Sequence, residues 1–329
     1  MFRRRRGWMS AITRKTSTST RDACRSGRPV SPRWDVSDLN YYPLVLKAFR
    51  SAAGLSDARE AKVAEALRQL QPALRHLRKS YKHQSRSSTV SPGYSDSTAF
   101  AYLLAYVPGY IVQSRMAFDF AGVAAMQPPP RRIGFFCCGP CPEAVALVEI
   151  LSGQLFSQSD ELSLDLFDIS DSNWGPVRRA LLEVGCNQGR DDSPLRKVET
   201  YDFDIRQAPG RGTAEIIERL DIAMFQNYDN ELGSDRGAAN RTVEAIAQLL
   251  APGSKLILSD LFYSKRNHEF LEDVLKEYGQ VARKQSGIRG VRHRYPDRFM
   301  SSNLFDKQSD EVLTARVGHT ANFLVLDRT

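Results

Sequence analysis

Short apolar runs alternate with helix-like segments over residues 131–329. The runs are five to seven residues long, and the segments between them carry apolar residues at helical spacing. Strands that alternate with helices predict a doubly wound α/β domain, whose mostly parallel sheet is covered on both faces. The predicted strands are residues 132–137, 163–169, 197–203, 221–225, 255–259 and 322–326. The predicted helices are residues 143–151, 177–184, 214–220, 238–250 and 267–279.

A helical region over residues 35–130 precedes this domain. Residues 55–79 place their apolar side chains at alternating spacings of three and four, which is one face of a helix. Pro72 is expected to kink or split this helix. A second helical stretch, residues 99–120, is rich in tyrosine and is interrupted at Pro108. We expect this region to cover the substrate site of the α/β domain.

The formal net charge of +8 is unevenly distributed along the chain. Residues 1–90 contain 20 Lys and Arg against 6 Asp and Glu, whereas the remainder is mildly acidic. Residues 1–34, with four consecutive arginines and a Ser/Thr tract, lack the apolar residues for a core, so we expect a disordered basic tail. A solvated tail is the favoured interpretation, and an arm that binds nucleic acid is the alternative.

Membrane and disulfide classes are disfavoured by composition. No run approaches the roughly 18 apolar residues that a membrane-spanning helix needs. The chain has five cysteines, and an odd, small number fits a reducing compartment. We therefore expect a soluble, cytoplasmic protein that does not bind membranes.

A turn of small residues joins the first predicted strand to the first predicted helix. Residues 133–144 read IGFFCCGPCPEA. Small residues let a ligand approach the backbone, and the N-terminus of the following helix offers free N–H groups. The cysteines of this turn lack a fourth ligand at zinc-binding spacing, so no metal is expected. A redox pair of Cys138 and Cys141 is an alternative to plain small residues.

Acidic and polar residues end the next three strands. Asp168 ends the second strand, where a carboxylate can accept hydrogen bonds from a ribose diol. Asp204 follows the third strand and can accept a hydrogen bond from an exocyclic amino group such as that of adenine. The polar segment 226–231 follows the fourth strand. Because carboxyl ends of parallel strands share one edge of the sheet, these residues are expected to meet there.

These turns together resemble those of the class I S-adenosylmethionine-dependent methyltransferases. Gly139 and Pro140 match the central glycine and the frequent proline of the family's first motif, whereas Cys137 and Cys141 replace its outer glycines. Phe135 stands where the family usually has an acidic residue. Residues 250–258 match the segment that leads through Pro-Gly into the fifth strand. The resemblance implies a seven-stranded Rossmann-like sheet with an antiparallel last strand.

The resemblance also implies S-adenosylmethionine as cofactor. The missing acid of the first motif is a departure for which Glu143 is a candidate substitute, and cysteines at the glycine positions disfavour positive φ angles. Candidate cofactor-binding residues lie at the strand ends: Phe136, Cys137, Gly139, Pro140, Glu143, Asp168, Ile169, Asp204, Ile205 and Asn227. Candidate substrate-contacting residues are Tyr106, Tyr110, Tyr228 and Asp229.

The sequence therefore predicts a methyltransferase with a small-molecule acceptor. The segment after the fourth strand, FQNYDN, lacks the Asp/Asn-Pro-Pro-aromatic motif of base-directed N-methyltransferases. An RNA or protein acceptor, recognised through the basic N-terminus, is an alternative. A catalytically degenerate binding or structural protein is another. A nicotinamide-dependent oxidoreductase is weaker, because Gly-x-Gly-x-x-Gly is absent.

Overall fold

A computed structural model describes most of the chain from residue 39 onward. The described residues are 39–84, 95–152, 161–169, 171–188, 193–232, 235–261, 264–285, 296–305 and 320–329. All of them belong to one compact unit, Val36–Thr329. The tail expected at residues 1–34 lies outside the described residues.

Seven strands form a single sheet in the order β3-β2-β1-β4-β5-β7-β6. The strands β1 to β5 are mutually parallel, and β7 runs antiparallel to both of its neighbours, β5 and β6. This confirms the expected doubly wound, seven-stranded Rossmann-like architecture. The strands are β1 Arg132–Phe136, β2 Leu162–Asp168, β3 Leu195–Asp202, β4 Ile222–Gln226, β5 Lys255–Leu261, β6 Gly279–Gln285 and β7 Ala321–Arg328.

Helices precede the sheet and connect its strands. Pro72 does split the first predicted helix, and it lies at the second position of α3, where a missing N–H is tolerated. In the second stretch the break falls at Tyr106, because Pro108 opens the next helix instead of ending one. The helices are α1 Tyr42–Ala52, α2 Glu60–Gln69, α3 Gln71–Gln84, α4 Asp96–Ala105, α5 Val107–Phe120, α6 Pro142–Ser152, α7 Asp171–Gly185, α8 Arg211–Ile217, α9 Arg236–Leu249, α10 Lys265–Leu275 and α11 Arg298–Asn303.

The two faces of the sheet carry separate hydrophobic cores. Alternate residues of β1 point to opposite faces, so Phe135 belongs to the core under α1–α7 and Phe136 to the core under α9 and α10. Val45 and Leu67 of the N-terminal helices are fully buried in the same core as Phe135. Complete burial of each such side chain contributes roughly 1.5–3 kcal/mol. The N-terminal helices are therefore an integral cover of one sheet face.

Across the described residues, no helix combines the length and apolar character required to cross a bilayer.

Candidate functional site

A cavity of about 480 Å³ opens at the carboxyl ends of β1, β2, β3 and β4. Ligands of open α/β sheets bind at this edge, where the strand order reverses, and the volume is typical of small-molecule sites. Eleven of the residues singled out in the sequence line it: Tyr110, Cys137, Gly139, Pro140, Glu143, Asp168, Ile169, Asp204, Ile205, Asn227 and Tyr228.

Three other candidates are not among the described residues that line this cavity. Phe136 packs in the core instead, with its ring centroid 4.3 Å from that of Phe167 and 4.7 Å from that of Phe225. The side chain of Asp229 is buried in an ion pair with Arg236. Tyr106 is buried and stacks on the ring of Tyr102. Their side chains serve packing or support.

The turn after β1 keeps a glycine-like backbone despite its cysteines. Cys137, Gly139 and Cys141 have φ angles of 53°, 50° and 63°, in the left-handed region. The expectation that cysteine disfavours this conformation is thus overruled by the surrounding fold. The N–H of Cys137 donates to the carbonyl of Phe167 over 2.7 Å, and the N–H of Cys141 donates to the carbonyl of Cys138 over 2.7 Å. A non-glycine residue held there stores about 1–2 kcal/mol of strain.

Asp168 at the end of β2 holds the centre of this turn. Its Oδ2 accepts a hydrogen bond of 2.8 Å from the backbone N–H of Gly139. On the other side of the same residue, the carbonyl of Gly139 accepts a bond of 2.8 Å from Nε of Arg178 on α7. The carboxylate predicted to bind ribose therefore also fixes the turn that faces the ligand.

Glu143, at the start of α6, is a buried carboxyl group in the cavity wall. Only 2% of the residue is exposed, and its Oε2 has no hydrogen-bond partner among the described residues. Burial raises the pKa of Glu143 to about 8, an effect that the nearby Arg178 reduces and Asp168 increases. A cationic group bound close to this carboxyl group would favour its ionised form.

Gln226 at the end of β4 presents a second unused acceptor. Its Nε2 donates to the carbonyl of Tyr110 over 3.0 Å, which fixes the amide against α5. Its Oε1 is buried and lacks a partner within the described part of the chain. Two buried oxygens that lack donors among the described residues, Oε2 of Glu143 and Oε1 of Gln226, thus belong to residues of one cavity. Buried polar groups of this kind normally meet a ligand or water.

Asp204 lies in the cavity wall after β3, but its carboxylate is already paired. Nε and Nη2 of Arg206 donate to its two oxygens over 2.8 and 2.7 Å. The Arg206 guanidinium lowers the pKa of Asp204. Phe203 and Ile205 on either side are nearly buried and supply apolar surface to the same cavity. This part of the wall therefore places apolar surface beside the ion pair of Asp204 and Arg206.

The loop after β4 is anchored by a residue that the sequence did not reveal. Nε2 of Gln113, on α5, donates to Oδ1 of Asn227 over 3.1 Å, and the same nitrogen lies 2.9 Å from Oγ of Ser259 on β5. Asn227 itself has a φ of 57° and donates its N–H to the carbonyl of Ser259 over 2.8 Å. The N-terminal helical region therefore positions one wall of the site.

Arg115, on α5, is not among the described residues that line the cavity. Its guanidinium forms an ion pair of 2.7 Å with Glu149 on α6. Glu149 also accepts a 2.5 Å hydrogen bond from the hydroxyl of Tyr41. This network ties α5 and the chain before α1 to α6.

The lining also contains three aromatic residues absent from the predicted site residues: Tyr102, Trp174 and Phe203. Tyr102 had a signal, since it lies eight residues before Tyr110 in a tyrosine-rich stretch, whereas Trp174 had none. Within the described ranges, no group of three or more His, Cys, Asp or Glu side chains is arranged to hold a metal ion.

The sheet order, the antiparallel β7 and the cavity across β1 to β4 define a Rossmann-like α/β protein of the architecture shared by class I S-adenosylmethionine-dependent methyltransferases. No protein-family model matches the chain, and no curated protein sequence matches it.

Solved structures that resemble the chain at low sequence identity include several methyltransferases. An O-methyltransferase family protein from Burkholderia thailandensis is 11% identical, over 78% of this chain and 70% of that one, with a TM-score of 0.45. The plantazolicin methyltransferase BpumL, in complex with SAH, is 11% identical over 82% and 98%, with a TM-score of 0.39. The mitomycin 7-O-methyltransferase MmcR is 14% identical over 88% and 76%, with a TM-score of 0.39.

Proposed function

We propose that this protein is an S-adenosylmethionine-dependent methyltransferase with a small-molecule acceptor. The observation that carries the proposal is the pair of unused buried acceptors, Glu143 Oε2 and Gln226 Oε1, in a strand-end cavity that also contains Asp168. The fold places the cavity at the strand ends, and these side chains provide hydrogen-bond acceptors for a cofactor.

The residues present suit the parts of this cofactor. The acceptors of Glu143 and Gln226 would take the N–H groups of its ammonium. Asp168, at the end of β2, would accept from the ribose hydroxyls, and Phe203 and Ile205 would contact the adenine faces. When bound, the cofactor supplies an electrophilic methyl group on a sulfonium, which is transferred to a nucleophile of the acceptor.

The chain contributes binding and orientation to such a transfer. An in-line displacement gains most from holding the nucleophile close to the methyl carbon. The bonds from Asp168 to Gly139 and from Gln113 to Asn227 fix two walls of the cavity before a ligand enters. A preorganised site loses less entropy on binding.

The degenerate-protein alternative depended on the altered glycine motif. Cys137 and Cys141 nevertheless adopt the backbone conformation that glycines would, so the turn remains open to a ligand. This observation favours an intact cofactor site. Most of the lining residues are buried, which favours a small acceptor over RNA or protein. The basic residues 1–34 lie outside the described part of the chain.

Calorimetric titration with S-adenosylmethionine, S-adenosylhomocysteine and NAD⁺ tests the proposal. We expect the first two to bind and NAD⁺ not to bind, with binding abolished in Asp168→Ala. Asp273→Ala is the matched control, because Asp273 lies exposed on α10. Absence of binding to a folded wild-type protein, or tight binding of NAD⁺ alone, would refute the methyltransferase proposal.

A further inference from the structure

Three aromatic side chains form a continuous row in the cavity wall: Trp174, Tyr102 and Tyr110. The ring centroids of Trp174 and Tyr102 are 5.2 Å apart, and those of Tyr102 and Tyr110 are 5.9 Å apart. Each ring comes from a different helix, α7, α4 and α5 respectively. We name these three side chains the aromatic row.

The aromatic row extends from the turn after β1 to the end of β4. At one end the indole of Trp174 lies 3.5 Å from the position that a Cβ on Gly139 would occupy. At the other end the carbonyl of Tyr110 accepts a hydrogen bond from Gln226. The proposed adenine contacts, Phe203 and Ile205, follow β3. In the sheet order β3-β2-β1-β4, two strands lie between β3 and β4. The Tyr110 end of the aromatic row therefore lies beside β4, separated by two strands from the strand that precedes the adenine contacts.

A second layer of rings holds the aromatic row in place. Tyr106 stacks on Tyr102 with centroids 5.2 Å apart and planes inclined by 27°. It also stacks on Tyr110, with centroids 6.2 Å apart, and packs edge-on against Tyr81 at 5.5 Å. Because Tyr106 packs against Tyr102 and Tyr110, these two rings have little freedom to rotate. Their surface toward the cavity is therefore formed before a ligand binds.

The charge of the lining restricts what can lie against these rings. Asp168, Asp204 and Asp235 contribute acidic side chains to the cavity, and Arg206 contributes a guanidinium that is paired with Asp204 and lies 3.7 Å from Asp235. An anionic ligand would meet repulsion from this set, whereas a neutral ligand would not. An aromatic surface beside acidic side chains therefore favours a planar ligand and disfavours a negatively charged one.

We propose that the aromatic row is the acceptor site and that the acceptor is a small, planar aromatic molecule without negative charge. This inference rests on the proposed methyltransferase function, because it assigns to the acceptor the part of the cavity that the cofactor would not occupy. Offset or edge-on contact with Tyr102 and Trp174 would hold the acceptor plane.

Three probes that share one carbon skeleton test this preference. Binding of 2-naphthol, decahydro-2-naphthol and 2-naphthoate is measured by calorimetry on the full chain saturated with S-adenosylhomocysteine. The first is planar and neutral at pH 7, the second is saturated and not planar, and the third is planar and anionic. We expect 2-naphthol to bind about tenfold more tightly than each of the others. Equal binding of all three, or no binding of 2-naphthol, would overturn the inference.

Variants of Tyr102 locate the binding to the aromatic row. Tyr102→Leu removes the ring but keeps an apolar side chain, and we expect it to weaken 2-naphthol binding about tenfold, whereas Tyr102→Phe keeps the affinity. Tyr278→Leu is the matched control, because Tyr278 lies beside Glu244 and Arg328, away from the cavity lining. Unchanged affinity in Tyr102→Leu would contradict the assignment of the site.

The same titrations separate this inference from the proposed function. S-adenosylhomocysteine binding is measured first on each variant, and retained binding shows that Tyr102→Leu is folded. If S-adenosylhomocysteine fails to bind the wild type, the methyltransferase proposal fails. If it binds and 2-naphthol shows no preference over its saturated counterpart, only the acceptor assignment fails.

Discussion

The carboxylate of Asp168 accepts a hydrogen bond of 2.8 Å from the backbone N–H of Gly139, across 29 positions of sequence. This bond joins the end of β2 to the turn after β1, the two elements that the cofactor proposal requires to act together. Because both groups are buried, a lost partner leaves an unsatisfied N–H, which costs about 1–3 kcal/mol. Stability and ligand binding are therefore coupled at this residue.

Replacement of Asp168 should reduce both properties. We expect Asp168→Ala to lower the free energy of unfolding by about 1–3 kcal/mol. We expect Asp168→Asn, whose amide oxygen can still accept from Gly139, to lose less stability but to bind S-adenosylhomocysteine more weakly than wild type. Urea unfolding and calorimetry measure the two effects. Equal stability of Asp168→Ala and wild type would show that this hydrogen bond does not contribute to the free energy of unfolding.

The affinity for S-adenosylmethionine should depend on pH through Glu143. Since the pKa of Glu143 in the free protein is about 8, its carboxyl group is protonated at pH 6 and must lose that proton to pair with an ammonium. Affinity should therefore rise by at most about tenfold per pH unit from pH 6 toward pH 8. Glu143→Gln should remove this dependence. A pH profile that is the same in both proteins would exclude Glu143 as the partner.

The same carboxyl group should make the free protein less stable as pH rises. Its pKa is raised on folding, from an ordinary value of 4.5 to about 8, so the folded state binds more protons than the unfolded state between these values. The free energy of unfolding should therefore fall across this interval and level off above it. We expect Glu143→Gln to show a smaller fall when both proteins are unfolded in urea at pH 5 and pH 9. A matching fall in the variant would contradict this origin.

Relief of backbone strain at Cys137 should stabilise the protein. Cys137 is half-buried at a φ of 53°, so Cys137→Gly removes strain of about 1–2 kcal/mol at an entropic cost of roughly 0.5–1 kcal/mol. A net gain of up to about 1.5 kcal/mol in unfolding free energy is expected from these two effects. Cys137→Ala, which retains a Cβ, is the control and should show no such gain. Thermal and urea unfolding of both variants decide the matter.

The contact of Gln113 with the loop after β4 predicts an effect of the helical region on the site. Gln113→Leu fills similar space but leaves the oxygens of Asn227 and Ser259 without this donor, so the free energy of unfolding should fall by about 1–3 kcal/mol. We also expect weaker binding of S-adenosylhomocysteine, because Asn227 lines the cavity. Gln71→Leu, at a helix start near Asn303, is the control for loss of an amide elsewhere. Unchanged affinity in Gln113→Leu would show that this anchor does not shape the site.

Strong apolar periodicity made most of the sheet predictable. Each of the six predicted strands overlaps an observed one within a few residues. The central parallel strands β1, β2, β4 and β5 are largely buried, and parallel strands covered on both faces need continuous apolar runs. The strand β6 was missed because its sequence, GQVARKQ, belongs to an edge that requires little apolar surface. The helix α1 was also missed, although Tyr42, Val45 and Phe49 mark its buried face.

The sequence by itself determined the fold class and the edge of the sheet at which the candidate residues gather, since strand ends follow from periodicity and parallel strands align their carboxyl ends. Only the tertiary structure decided which side chains reach the cavity. It buried Phe136 between two other rings, paired Asp204 with Arg206, and left Oε2 of Glu143 without a donor among the described residues. It also brought Trp174 beside Tyr102, 72 positions away along the chain. Such contacts depend on packing between distant elements, which local pattern does not encode.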